Sequence, residues 1–135
     1  MKKSGIKKVV IDTNVLVSAL WSENGNPASI IQLIPQTITP VFSYEIFAEY
    51  LNVLNRPKFD FSPHKKKELL SKLMKYGEFV SPEKSDIPMA DESDRIFYDA
   101  AKENGAILIT GNDKHFPDEK HIMKPLEFLE NDASG

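Results

Sequence analysis

Apolar positions in the chain fall into two kinds of pattern. Val9-Val10-Ile11, Thr37 to Phe42 and Ala106-Ile107-Leu108-Ile109-Thr110 are short, β-branched or continuously apolar runs. Such runs predict strands buried on both faces of a parallel sheet. Pro40 interrupts the second run and predicts an edge or a bulge there. A last strand is predicted near His121-Ile122-Met123.

Between these runs the apolar period lengthens to that of helices. Asn14 to Trp21 predicts a short helix. Asn24-Gly25-Asn26-Pro27 is a turn, with Asn26 as N-cap and Pro27 at the first helical position of a helix through Ile30, Ile31, Leu33 and Ile34. Ser43 is placed to cap a helix running to about Asn55, stopped by Arg56-Pro57. Ser62-Pro63 opens another, with Leu69, Leu70, Leu73 and Met74 on one side. The segment from Ser81 to Glu92 is polar and loop-like. Asp91 or Ser93 caps a helix carrying Ile96, Phe97, Ala100 and Ala101, which ends at Asn104-Gly105. A short helix starts at Pro125. Strands separated by helices predict an α/β fold with helices on both faces of a parallel sheet.

Length and composition narrow this picture. The 135 residues suit a single domain spanning 1–135, and 41% hydrophobic with 27% charged residues is ordinary for a folded protein. There is no cysteine, which excludes disulfides, thiolate metal sites and cysteine nucleophiles. The longest apolar runs fall far short of the ~20 residues a membrane span needs. Met-Lys-Lys-Ser-Gly-Ile-Lys-Lys has charges but no apolar stretch of a secretory leader. No membrane association and a cytoplasmic location are expected. The net charge of -3 argues against a protein that coats nucleic acid by blanket electrostatics.

Candidate chemistry lies in the acids. Asp12-Thr13-Asn14 and Thr110-Gly111-Asn112-Asp113 each follow a buried-looking strand, and in parallel sheets sites lie beyond the carboxyl ends of the strands. Asp12 taken alone reads more readily as a helix cap. On the helix from Ser43, Ile46, Phe47, Tyr50, Leu51 and Leu54 share one arc, Glu49 borders it, and Glu45 points almost opposite. Asp91 and Asp94 open a later helix, where acids are favoured by the macrodipole. Each acid alone has an ordinary explanation. Several converging would repel unless a cation joined them, and oxygen-only clusters select hard ions such as magnesium or manganese. His64, His115 and His121 are scattered and read as surface residues, and Lys65-Lys66-Lys67 reads as a solvated helix face.

These residues, in this order, resemble the PIN-domain ribonucleases. Val9-Val-Ile-Asp12-Thr13-Asn14-Val-Leu-Val resembles the family's opening strand and metal-binding Asp. The stretch from Ser43 through Glu49 to Leu54-Asn-Arg56-Pro57-Lys58-Phe59 resembles the helix that carries its next acid. Asp91-Glu-Ser-Asp94-Arg-Ile-Phe and Gly105-Ala-Ile-Leu-Ile-Thr110-Gly111-Asn112 resemble the third segment and final cluster, and Pro125-Leu-Glu-Phe-Leu the closing helix. The nearest variety is a bacterial group of toxin–antitoxin toxins.

The resemblance implies a three-layer α/β/α sandwich and Mg2+- or Mn2+-dependent hydrolysis of RNA. It makes Asp12, Glu49 and Asp94 catalytic metal ligands, with Asn14 orienting Asp12 or meeting the phosphate and Thr110 holding a water. Metal would lower the pKa of a water and stabilise charge on the phosphate. An RNA substrate, an antitoxin partner and a homodimer are implied too, with Trp21 and Ile30-Ile31 as a contact. Where the family often has Asp after Thr-Gly, this chain has Asn112, followed by Asp113. Either is a candidate fourth metal ligand. A catalytically weak PIN-like module that binds RNA or protein is the competing reading. A receiver domain shares the size and sheet type, but needs an acidic pair where Thr13-Asn14 follows Asp12.

Overall fold

The computed structural model describes residues 5–134. Five parallel strands form one sheet: β1 (Lys7–Ile11), β2 (Ile38–Phe42), β3 (Glu78–Phe79), β4 (Ile107–Ile109) and β5 (Ile122–Met123), in the order β3-β2-β1-β4-β5. Six helices accompany them: α1 (Thr13–Trp21), α2 (Asn26–Gln32), α3 (Tyr44–Leu54), α4 (Pro63–Tyr76), α5 (Arg95–Asn104) and α6 (Pro125–Ser134). The result is a three-layer α/β/α sandwich. From β1 the chain winds outward through β2 and β3, then crosses back to β4 and β5. The winding therefore reverses between β1 and β4, and a crevice opens at such a switch point.

Burial explains the strand runs. Val9, Val10, Ile11, Leu108 and Ile109 are at most 1% exposed, because helices cover both faces of the central strands. Pro40 lies in an interior strand, contrary to the edge or bulge expected of it. It is paired in register with Val9 of β1, whereas β3 pairs only with Val41 and Phe42. On the β3 side the ladder begins after the proline, so its missing N–H interrupts no β3 pairing.

Two caps stand as the sequence predicts. Ser43 Oγ accepts from the Ile46 amide at 3.2 Å, and Ser62 Oγ from the Lys65 amide at 3.4 Å. Gly105, at φ 62°, ends α5 in the left-handed conformation that a side chain would oppose. Other expectations need correction. Gly25, not Asn26, is the N-cap of α2, and Asn26 is its first helical residue. Leu51 and Met74 are 42% and 54% exposed, so the apolar arcs of α3 and α4 are narrower than their sequences suggest. β3 was not foreseen. Gly77 admits it, since a Cβ there would collide with the Leu73 carbonyl and the Phe42 ring.

Candidate active site

The register of β1 on β4 runs Val9–Ile107, Val10–Leu108, Ile11–Ile109, and the next step brings Asp12 beside Thr110. Thr110 Oγ1 donates to Asp12 Oδ2 at 2.8 Å. Asn14 Nδ2 reaches the same oxygen at 3.4 Å, and Asn14 Oδ1 accepts from the Gly111 amide at 3.2 Å. Asn14 therefore bridges the two strand ends. Asp12 stands at the N-cap of α1, yet its carboxylate makes no cap hydrogen bond. The ordinary explanation of Asp12 as a helix cap fails, and its carboxylate faces the crevice residues instead.

α3 begins at Tyr44, immediately after β2 and its Ser43 cap, and so starts from the same sheet edge. One turn further on, Glu49 Oε2 accepts from Thr13 Oγ1 at 2.8 Å. The Tyr50 hydroxyl donates to the Ile11 carbonyl at 2.6 Å, fastening α3 to the end of β1. Burial, and then the Asp12 and Glu49 charges, push that phenol further above its ordinary range, so it stays a hydrogen-bond donor.

Asp94 closes a 3-10 turn over Glu92–Asp94 and stands at the N-cap of α5 without capping it. Asp91 caps only the 3-10 turn, accepting from the Ser93 amide at 3.0 Å and the Ser93 hydroxyl at 2.8 Å, so neither Asp91 nor Ser93 caps α5 as the sequence predicts. Asp94 Oδ2 is buried and has no hydrogen-bond partner. His115 Nδ1 lies 3.9 Å from that oxygen. His115 and Thr13 are the site neighbours that sequence reasoning missed. Thr13 carried a signal, because a hydroxyl beside Asp12 at a helix start is placed to reach across the edge. An exposed His in an irregular turn carried none.

The electrostatics tie the three acids together. Asp12, 6% exposed, has its carboxyl raised to about 6, by burial first and then by the Asp94 and Glu49 charges against the lowering bond from Thr110. Burial raises Asp94 as well, with the Asp91 and Glu49 charges adding to it and His115 opposing. Among the described residues, no group of three or more acids and histidines is already gathered as a set of metal ligands. The donor chemistry nonetheless fits a hard divalent cation: the Asp94 and Glu49 charges raise the buried Asp12 carboxyl, and an Asp94 oxygen is buried without a partner.

The fourth motif turns outward. Asn112 is exposed, and its amide donates to Thr110 Oγ1 at 3.0 Å. Asp113 opens a 3-10 turn over Asp113–His115 and lines a hollow of about 260 Å³ with Phe116, Pro117 and Ile122, none of them site residues. Hydrogen bonds thus join Asp12, Asn14 and Thr110, Glu49 is tied to the Asp12 neighbour Thr13, and Asp94 is linked to Asp12 through its charge alone, with Asn112 held beside Thr110 by its backbone and Asp113 beside another hollow.

A parallel sheet with an acid at its switch point, an acid on α3 and an acid at the start of α5 is built on a fold that known proteins share. Residues 8–114 match the PIN domain family, and the chain belongs to that family, whose members are in general nucleases. The uncharacterized protein MJ1680 of Methanocaldococcus jannaschii is 33% identical over 110 residues, covering 78% of this chain and 70% of that protein. This relative is archaeal, so the comparisons show the family without the narrower bacterial grouping. Two solved structures share the fold. VapBC2 from Rickettsia felis, bound to a DNA fragment from its promoter, matches with TM-score 0.57 and 17% identity over 87% of this chain and 97% of that one. PAE2754 from Pyrobaculum aerophilum matches with TM-score 0.56 and 16% identity over 96% and 91%. Among the described residues no helix is long and apolar enough to cross a membrane.

Proposed function

We propose that the protein is a divalent-metal-dependent endoribonuclease, the toxin of a toxin–antitoxin pair. The observation that carries the enzymatic part is Asp12: a buried acid at the sheet's switch point, raised to about 6, with the Glu49 and Asp94 charges acting on it. Asp12, Glu49 and Asp94 would hold Mg2+ or Mn2+, with Asn112 or Asp113 as a further oxygen ligand. Such an ion, when bound, activates water and stabilises charge on the attacked phosphate. Thr110 and Asn14 orient the Asp12 carboxylate, Thr13 orients Glu49, and Asn14 stands where a phosphate would approach. The antitoxin rests on family membership and on the VapBC2 likeness, and a homodimer on the family resemblance alone.

Purified protein incubated with single-stranded RNA tests this reading. Cleavage should require added Mg2+ or Mn2+, stop with EDTA, and disappear in Asp12→Asn. Asn112 in place of an acid, and the absence of a ready-made metal cage, favour the second reading, a binding module of little activity. That reading predicts RNA binding without metal-dependent cleavage.

A further inference from the structure

At the far end of α1 from Asp12 lies an aromatic cluster that the site does not use. Trp21 is 64% exposed and stands edge-on to Phe59 and Phe61, at ring-centre distances of 5.3 and 5.9 Å. Phe59 and Phe61 stack on each other at 5.3 Å, with their planes 12° apart. The intervening Asp60 has φ 49°, and amide bonds from Phe59 to the Arg56 carbonyl and from Asp60 to the Pro57 carbonyl fix the turn. A non-glycine residue held in the left-handed region marks a backbone whose shape its surroundings impose. Phe59 and Phe61 are half-buried and pack against the core, whereas Trp21 is largely exposed, so burial accounts for the phenylalanines and not for the indole.

The same stretch concentrates positive charge. Residues 56–67 carry five cations (Arg56, Lys58, Lys65, Lys66 and Lys67) and one anion, Asp60, in a chain whose net charge is -3. Lys58 Nζ lies 5.3 Å from the Phe59 ring centre. Lys65 is paired with Glu23 at 2.6 Å and Lys66 with Asn55 at 2.8 Å. Exposed aromatic rings beside cations are how proteins hold unpaired bases and their phosphates without reading sequence. A purely apolar docking face would not gather this charge.

We infer that Trp21, Phe59 and Phe61, flanked by Arg56, Lys58 and Lys65 to Lys67, form a stacking platform for unpaired bases of single-stranded RNA. The inference rests on the nuclease reading for the identity of that strand. Thr13 and Trp21 bound α1, so about 12 Å of helix axis separates the acids from the platform. Bases stacked there would anchor a strand whose phosphate lies at Asp12.

Trp21 is the only tryptophan in the chain, which makes its fluorescence a direct reporter. Titrating oligo(rA) 12-mer into the protein in EDTA should quench it, and a duplex of equal length should not. By anisotropy of a labelled 12-mer, Trp21→Ala should weaken binding about tenfold and Trp21→Phe should restore most of it. A triple Lys65→Gln, Lys66→Gln, Lys67→Gln variant should flatten the salt dependence, which Trp21→Ala leaves unchanged. Binding without quenching, and with Trp21→Ala at wild-type affinity, would overturn the platform while leaving the nuclease reading intact. Absence of both RNA binding and metal-dependent cleavage would overturn both. A change in oligomeric state in Trp21→Ala, with RNA affinity unaltered, would reassign the patch to a protein interface.

Discussion

Two aspartates in this protein are equally hidden from water, Asp12 and Asp99, each 6% exposed. Asp99, on α5, is fully provided for. The Ser85 hydroxyl donates to it at 2.6 Å and the Ser85 amide at 3.0 Å. The Arg95 guanidinium lies on the same serine, donating to its carbonyl at 2.7 Å and its hydroxyl at 3.1 Å, and also binds Glu92. Asp12 has one good hydroxyl bond and one long amide bond, and its charged neighbours are acids. Burial alone therefore does not mark a site. An acid buried with a cation in its network pins a loop to a helix, whereas an acid buried among acids is set up for a cation supplied from outside.

The sharpest break between the two is Asp12→Asn against Asp99→Asn. The first should reduce metal-dependent RNA cleavage by about a hundredfold or more with the fold retained, since the amide keeps the shape and loses the charge. The second should leave cleavage per folded molecule near wild type. Equal loss in both, measured on protein whose circular dichroism is native, would erase the distinction.

Stability should move in opposite directions. Asp99→Ala removes the acceptor for two donors near a buried guanidinium, and should cost about 3 kcal/mol in urea unfolding. Asp12→Asn in EDTA should instead stabilise the fold at pH 8. The sign follows from linkage: a carboxyl raised from 3.8 to about 6 on folding contributes stability that is full below pH 4 and lost as pH rises through 6. The variant's advantage should therefore be at most about 3 kcal/mol at pH 8 and vanish near pH 4. A variant no more stable than wild type at pH 8 would mean that Asp12 carries no buried charge.

A smaller effect is expected from Thr13→Val, which removes the hydroxyl holding Glu49. It should cost about 1 kcal/mol or less in stability, and weaken Mn2+ binding severalfold by freeing the glutamate. Unchanged Mn2+ affinity would take Glu49 out of the ligand set. The least effect separates Asn112 from Asp113. Asn112→Asp should tighten Mn2+ binding, and Asp113→Asn should alter it little. The opposite result would shift the fourth motif by one residue.

The strands β1, β2 and β4 and the caps Ser43 and Ser62 were legible, because each is a local pattern of apolar period and capping oxygen. Strand ends and helix phase marked Asp12, Glu49 and Asp94 as candidates while leaving each an ordinary explanation, and the family resemblance is what joined them into a set. What the chain alone concealed was set by distant contacts. β3 is two residues long, too short for any period, and exists because Val41 and Phe42 present a ladder to it. Trp21 reads as core by type and lies in solvent because its neighbours are the Phe59–Phe61 turn. The Thr13–Glu49 bond joins residues 36 apart, and His115 meets Asp94 only once β4 has returned to the centre of the sheet.

The bond between Thr110 and Asp12 spans 98 residues of chain. A ribosome releases Asp12 early and Thr110 late, and between them come β2, β3, β4 and five helices. Pairing β4 beside β1 is thus among the most non-local steps the chain must complete, and its loop-closure cost precedes any reward from the contact. Until that strand arrives, Asp12 has neither the Thr110 hydroxyl nor the Asn14 clasp on Gly111, and the acid edge is open to water. A nascent chain stalled before β4 therefore lacks the assembled site, which closes only once β4 and Thr110 have emerged and settled beside β1.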